Sequence, residues 1–190
     1  DNDYQKFVKE VKQDVWGRNL PQFNNRKVSA QYKDESAVIL ARYEELTVDL
    51  SKKFNIFAFG NLKQNTATHL KRNLIKINDK AALDKFSTFD FRTYDRSFNE
   101  LMLREDHRTV LGVKVIKPDG TVKEVSTDDY QDANEGKKGQ EKRTKLAVPD
   151  LQVGDLIDYF IYDFDVIKED NLDPTLFIFC ADYPILDYQI

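Results

Sequence analysis

The 190-residue sequence is 41% hydrophobic, 12% aromatic and 33% charged, a composition typical of one folded domain with a substantial core. Its 33 acidic and 29 basic residues give a net charge of -4, which argues against nucleic-acid binding. One cysteine and two histidines exclude an internal disulfide and a thiolate-rich zinc site, and no apolar run approaches the roughly 18 residues of a transmembrane helix.

The N-terminal stretch YQKFVKEVKQDVW (residues 4–16) places its apolar residues at helical spacing, and Gly17 follows where a helix would end. We predict an amphipathic helix that packs one face on the rest of the protein. Residues 19–36 contain a proline and paired asparagines, which indicates an irregular crossing segment. We therefore assign residues 1–31 to this helix and crossing segment, and residues 32–190 to the main domain.

The following residues change to strand-like patterns rich in branched and aromatic side chains. The predicted strands are AVILARYEELTVDL, FNIFAF and THLKRNLIKI. Asn78 or Asp79 can cap a short helix that ends near Phe86, after which a strand resumes. Residues 92–108 are mixed and charged, and the pattern assigns them no state.

The clearest local signal is VKVIKPDGTVKEV (residues 113–125), in which two alternating runs flank a turn. Pro118 and Asp119 suit the centre of a type I turn, and Gly120 suits a following position with positive φ. None of these side chains is a nucleophile or base in an evident setting. We interpret the hairpin as scaffold.

Residues 126–145 are polar, and a strand resumes at 146–148 before a loop marked by Pro149, Gly154 and Asp155. LIDYFIYDFDVI is apolar on both faces, which predicts a central strand covered on two sides. Two short strands are predicted in LFIFCADYPILDYQI, interrupted at Pro184. Eight or nine strands with two helices predict a mainly β fold, an antiparallel two-sheet β-sandwich.

Few catalytic patterns are present. Phosphate-binding GxxxxGK[ST] and GxGxxG motifs are absent. Cys180 could form a nucleophilic triad with His69 or His107 and one of many aspartates, but its place in an apolar run favours a buried core thiol. Glu44 and Glu45 are adjacent and should point to opposite faces of a strand, as should Asp128 and Asp129.

Two charged clusters and four tyrosines are weaker candidates for binding sites. The acidic turn could hold calcium, although it lacks EF-hand spacing and a solvated turn is favoured; it contains Asp163, Asp165, Glu169, Asp170 and Asp173. The basic stretch could contact anions, although a solvated loop is favoured; it contains Lys137, Lys138, Lys142, Arg143 and Lys145. Four tyrosines near turns could stack on sugar rings: Tyr94, Tyr130, Tyr183 and Tyr188. We expect no cofactor and no metal site.

Three stretches carry a resemblance to a known family. They are RNLIKINDKAALDKFSTFDF (72–91), GVKVIKPDGTV (112–122) and LAVPDLQVGDLIDYFI (146–161), with KDESAVIL (33–40) preceding them. In this order they resemble the bacterial domain of unknown function that stands N-terminal to transglutaminase-like domains in exported, Bacteroidetes-type proteins. The resemblance covers roughly residue 32 to the end of the sequence.

The resemblance implies an exported, periplasmic or surface, non-catalytic β-sandwich module. Longer relatives are expected to carry a papain-like Cys-His-Asp domain after it, and Cys180 is not equated with the nucleophile of that domain. We expect an accessory domain that packs against, or presents substrate to, a downstream transglutaminase-like domain of the same polypeptide. The alternatives are a free-standing module that binds glycan or peptide, and an independent hydrolase using Cys180.

Overall fold

The structure, a computed structural model, describes residues 2–49, 65–98, 104–126, 130–132, 142–167 and 177–190. These residues contain the helices α1 (Asn2–Gly17) and α2 (Lys80–Phe86). Their strands are β1 (Ala37–Asp49), β2 (Asn65–Ile77), β3 (Thr88–Phe98), β4 (Arg104–Ile116), β5 (Val122–Glu124), β6 (Tyr130–Asp132), β7 (Lys142–Ala147), β8 (Leu156–Ile167) and β9 (Tyr188–Gln189).

The predicted mainly β architecture with an N-terminal helix and one internal helix is confirmed. The strand order is β6-β7-β3-β4-β8-β2-β1-β9, with β5 also paired to β4. Every pair is antiparallel except β1 with β9. Hydrogen bonds therefore join all nine strands into one continuous sheet, which folds over to form two packed layers. The sequence pattern did not reveal this continuity.

The layers separate because β4 changes partners along its length. Its first residues pair with β3 through Arg108, whereas Lys114 to Ile116 pair with β5. Before Tyr94, residues Thr88 to Arg92 of β3 pair with β7 instead. Phe91 of β3 and Leu146 of β7 pack in one apolar cluster with Ile75 and Leu111, which places β3 and β7 across a face of the central strands β4, β8, β2 and β1.

The opposite face of the central strands is covered by α1 and the crossing segment. Val8, Val11 and Val15 of α1 pack on Leu70, Val110 and Phe160. Phe23, in a short 3-10 turn (Pro21–Asn24), packs on Leu74 and neighbouring apolar residues. As predicted, β8 is a central strand, because it lies between β4 and β2 and is apolar on both faces. Within the described residues, neither helix has the length and apolar character needed to cross a bilayer.

Helix α2 begins as the sequence predicts. Of the two proposed capping residues, Asp79 is the N-cap, and its carboxylate accepts a hydrogen bond from the Ala82 amide at 3.0 Å. Ser36 donates a second hydrogen bond to the same carboxylate at 2.6 Å. This bond ties the start of α2 to the entry of β1.

Four points of the sequence analysis need comment. Residues 92–108, which were assigned no state, belong mainly to β3 and β4, whose charged side chains concealed the pairing. The first strand predicted in LFIFCADYPILDYQI is wrong within residues 177–183, which are irregular. The core position predicted for Cys180 is also wrong, because Cys180 is exposed. The strand predicted in FNIFAF lies outside the described residues.

Candidate functional site

The first candidate site is centred on Glu44 of β1. Neighbouring strand residues point to opposite faces, so Glu44 and Glu45 separate, as the sequence predicted. Glu45 lies on the α1 side, where it accepts hydrogen bonds from Arg18 at 2.8 Å and Tyr43 at 2.6 Å. Glu44 lies on the face covered by the C-terminal segment, defined here as residues 177–190.

The Glu44 carboxylate is almost fully enclosed, with 3% of its side chain exposed, yet it has three polar partners. The Tyr188 hydroxyl donates to Oε1 at 2.8 Å, Lys71 Nζ lies 3.1 Å from Oε1, and His69 Nε2 lies 3.3 Å from Oε2. Burial by itself raises the pKa of Glu44, but the hydrogen bonds from Tyr188 and Lys71 and the nearby cationic charge outweigh burial and lower it. Glu44 is thus a stabilised anion that anchors Tyr188.

A second buried polar pair lies beside Glu44. Arg42 Nε donates to Asn73 Oδ1 at 2.8 Å, and the Arg42 guanidinium lies 5.6 Å from the centre of the Tyr188 ring. Asn73 Nδ2 is buried without a hydrogen-bond partner in the described part of the chain. Arg42 therefore contacts the C-terminal segment through the same tyrosine that Glu44 holds.

The C-terminal segment is fixed to the edge of β1 by main-chain bonds. The Ile39 amide donates to Pro184 O at 2.9 Å, the Leu186 amide to Ile39 O at 2.9 Å, and the Arg42 amide to Asp187 O at 2.8 Å. Strand β9 then pairs with β1 in parallel. The segment is thereby held on the sheet although little of it is regular strand.

The outer side of this segment is apolar. Seven large apolar residues are exposed among the described residues, and four of them lie here: Ile178, Phe179, Leu186 and Ile190. Phe179 is 71% exposed, and its ring centre lies 5.2 Å from that of Tyr188. Because exposed apolar residues concentrated on one short segment mark interaction surfaces, this is the strongest candidate for a packing surface in the described chain.

The second candidate site is a polar cluster on β4 and β8. His107 Nδ1 lies 2.5 Å from Asp165 Oδ1, and His107 Nε2 lies 3.1 Å from Thr109 Oγ1. This order of acid, imidazole and hydroxyl has the connectivity of a nucleophilic triad. The hydroxyl, however, donates its proton to Asp163 at 2.6 Å.

Two further properties disfavour nucleophilic chemistry at this cluster. Thr109 is 4% exposed, so its oxygen is closed to a substrate. The hydrogen bond to Asp165 raises the pKa of His107, which favours an imidazolium that cannot accept a proton. The arrangement suits a clamp between β4 and β8.

The predicted turn residues hold two loops. Gly120 has a φ of +91° and donates its amide to Lys117 O at 2.9 Å, while Asp119 accepts from the Thr121 amide at 2.8 Å. In the other loop, Gly154 has a φ of +98° and follows Pro149 by five positions. Asp155 is buried and accepts from Lys117 at 2.7 Å and from the Gln152 amide at 2.8 Å, so it joins both loops.

The predicted tyrosines whose side chains the structure describes do not form one surface. Tyr130 donates its hydroxyl to Leu111 O at 2.5 Å and packs on the core, where burial raises its pKa. Tyr183 also packs on the core and lies under Lys85, whose Nζ is 5.0 Å from the ring centre. Tyr94 lies in β3, with its backbone paired to β4 and β7. Of the three tyrosines with described side chains, Tyr188 joins the Glu44 cluster.

The two charged clusters fall partly outside the described residues. Of the acidic cluster, Glu169, Asp170 and Asp173 lie outside, whereas Asp163 and Asp165 bond to Thr109 and His107. Of the basic cluster, Lys137 and Lys138 lie outside, whereas β7 begins at Lys142. The described residues contain no group of three or more His, Cys, Asp or Glu side chains that could hold a metal ion.

Sequence reasoning missed the Glu44 cluster. Its signal was present in β1 and β2, where Arg42, Glu44, His69 and Lys71 fall at alternating positions within largely buried strands. Charged residues in such strands need partners, because an unpaired buried charge is costly. The partner Tyr188 comes from 144 positions away and could not be inferred from local pattern.

Comparisons with known proteins do not assign a family. No family model matches the sequence, and no curated protein matches it. A solved structure from Parabacteroides distasonis, described as a "putative protease", aligns with a TM-score of 0.40 and 10% sequence identity. The alignment covers 55% of this chain and 20% of that one. Such a TM-score establishes neither a shared fold nor a shared function.

Proposed function

We propose that this protein is a non-catalytic accessory domain of an exported protein, and that its C-terminal segment packs against a following transglutaminase-like domain. The expectation that a transglutaminase-like domain follows comes from the resemblance of residues 72–91, 112–122 and 146–161 to the family named above. In this role the domain positions its neighbour or presents substrate to it, and chemistry belongs to the neighbour.

The observation that carries this proposal is the combination of a fixed backbone and an exposed apolar surface in residues 177–190. Main-chain bonds to Ile39 and Arg42 hold the segment in place, while Phe179 and Ile190 point apolar area to solvent. Isolated exposed apolar residues are ordinary, but a preordered apolar segment loses little conformational entropy on packing. That property suits an interface between domains.

Amide hydrogen exchange tests the proposal. Amide exchange rates should be compared between the protein expressed from the natural full-length reading frame and the 1–190 chain, with the central residues of β8 as the internal reference. We expect residues 177–190 to exchange more slowly in the full-length protein, while β8 is unchanged. Equal exchange of residues 177–190, or a reading frame without a following Cys-His-Asp domain, would contradict the proposal.

One observation supports the alternative of a glycan- or peptide-binding module. Phe179 is exposed and its ring centre lies 5.2 Å from that of Tyr188, an aromatic pair able to stack on a sugar ring. Array binding by the 1–190 chain that is lost in Phe179→Ala would favour this function. A flat array response would remove it.

A further inference from the structure

One row of side chains crosses four neighbouring strands on the face beneath the C-terminal segment. The strand register pairs Tyr188 of β9 with Arg42 of β1, Arg42 with Asn73 of β2, and Asn73 with Tyr159 of β8. Register partners in adjacent strands point to the same face of a sheet. We call these residues, Tyr188, Arg42, Asn73 and Tyr159, the Arg42 row.

The guanidinium of Arg42 is a buried positive charge without an acidic partner in the described part of the chain. Arg42 is only 6% exposed, and the ion pairs among the described residues do not include it. Glu44, two positions along the same strand, already has Lys71 as its cationic partner at 3.1 Å. Because a buried charge is costly unless it is paired, the Arg42 row calls for an anion.

Asn73 adds a second unused donor to this row. Its side chain is fully buried, its Oδ1 accepts from Arg42 Nε at 2.8 Å, and its Nδ2 has no hydrogen-bond partner among the described residues. Buried amide groups are seldom left unpaired in folded proteins. A water molecule can accept a hydrogen bond from Nδ2 but cannot offset the charge of Arg42. A carboxylate has both the acceptor oxygens and the negative charge.

Tyrosine rings border the two donors on either side. The Arg42 guanidinium lies 5.6 Å from the centre of the Tyr188 ring. Burial raises the pKa of Tyr159 and the charge of Arg42 acts against that rise, as expected for a hydroxyl near the guanidinium. Both tyrosines keep partial exposure, which gives a small molecule a route to the buried donors between them.

We propose that the Arg42 row binds a small organic carboxylate through the Arg42 guanidinium and Asn73 Nδ2. The planar guanidinium presents paired N–H groups that match the two oxygens of a carboxylate. A single unpaired cation favours a monoanion over a phosphate or sulfate dianion, and the enclosure of the row favours a small one. The inference does not depend on the accessory function, because it requires no following domain.

Titration of the 1–190 chain with sodium acetate tests the proposal. Acetamide is the matched control, since it has nearly the same shape without the charge, and sodium chloride at equal ionic strength controls for screening. Heteronuclear NMR should show saturable shifts of the Asn73 Nδ2 and Arg42 Nε signals with acetate, and no such shifts with acetamide or chloride. Shifts that do not saturate, or that chloride reproduces, would overturn the proposal.

Two variants locate the acetate site. Arg42→Gln removes the charge and should weaken acetate binding at least about tenfold, the loss expected for one charge-assisted hydrogen bond. Arg18→Gln is the matched control and should leave the affinity unchanged, because Arg18 already pairs with Asp14 and Glu45, each at 2.8 Å. Unchanged acetate affinity in a folded Arg42→Gln protein would overturn the inference. If that variant does not fold, the comparison of acetate with acetamide on the unaltered chain decides.

Discussion

The Tyr188 hydroxyl donates a 2.8 Å hydrogen bond to Glu44, a residue 144 positions earlier whose carboxylate is enclosed by the sheet and the C-terminal segment. This bond joins the last strand to the first. It gives the candidate packing surface a buried side-chain attachment in addition to its main-chain bonds to Ile39 and Arg42.

Removing this bond should loosen the C-terminal segment. We expect Tyr188→Phe to lower the free energy of unfolding by about 1.5 to 3 kcal/mol, because hydrogen bonds to charged groups are worth that much. Urea unfolding measures the change, and faster exchange of the Leu186 amide would locate it. Tyr183→Phe is the matched control and should change the free energy by less than about 0.5 kcal/mol. Equal effects of the two variants would contradict the assignment.

The His107 clamp predicts a pH dependence. Its hydrogen bond to Asp165, with help from the charge of Asp163 and against that of Arg92, raises its pKa in the folded state. The contribution of protonated His107 to the free energy of unfolding is therefore fully present below its unfolded-state pKa of about 6.5. It is lost as the pH rises through the higher pKa of His107 in the folded protein. Urea midpoints should fall over that range in the wild type and fall less in Asp165→Asn. The same pH dependence of the urea midpoint in both proteins would contradict a stabilising His107–Asp165 contact.

The buried Arg72–Asp158 pair should be sensitive to loss of one partner. Arg72 Nη2 lies 2.7 Å from Asp158 Oδ2, and its guanidinium lies 4.8 Å from the Trp16 ring centre and 4.4 Å from that of Phe23. Asp158→Ala should cost about 3 to 5 kcal/mol of unfolding free energy, since a buried cation is left unpaired. The double variant Arg72→Met with Asp158→Leu should lose clearly less unfolding free energy than Asp158→Ala, because it leaves no unpaired charge. A larger loss in the double variant would contradict this.

Gly112 predicts a steric effect. It is paired with Phe160 across β4 and β8, and a Cβ at this position would overlap the Phe160 ring. Gly112→Ala should therefore destabilise the fold by about 1 to 3 kcal/mol, measured by urea unfolding. Gly17→Ala, where a Cβ meets no heavy atom within 4 Å, is the control. A neutral Gly112→Ala would show that Phe160 moves aside freely.

Much of the fold could be predicted because it depends on local pattern. Helical spacing located α1, a capping side chain at Asp79 located α2, and a strand apolar on both faces located β8 at the centre. Cys180 was misplaced because the apolar run around it was interpreted as core, whereas its neighbours Ile178 and Phe179 are exposed. Local pattern cannot distinguish residues that pack inside the chain from those that can pack against another domain.

The candidate site was less predictable because its partners are distant in sequence. Glu44 and Tyr188 meet only once β9 lies along β1, and Thr109 meets His107 and Asp163 only through the pairing of β4 with β8. The pairing of strands sets these contacts, and turn and periodicity signals do not specify it over such separations.

Labelling of Cys180 tests the central claim most directly, because this exposed thiol lies beside Phe179 on the proposed packing surface. Fast iodoacetamide labelling of the 1–190 chain is expected from exposure alone and is no sign of catalysis. The rate should be followed by mass spectrometry of the peptide containing Cys180, in the 1–190 chain and in the full-length protein. We expect labelling to slow at least about tenfold in the full-length protein, because a docked domain covers the segment. Equal rates would contradict the account.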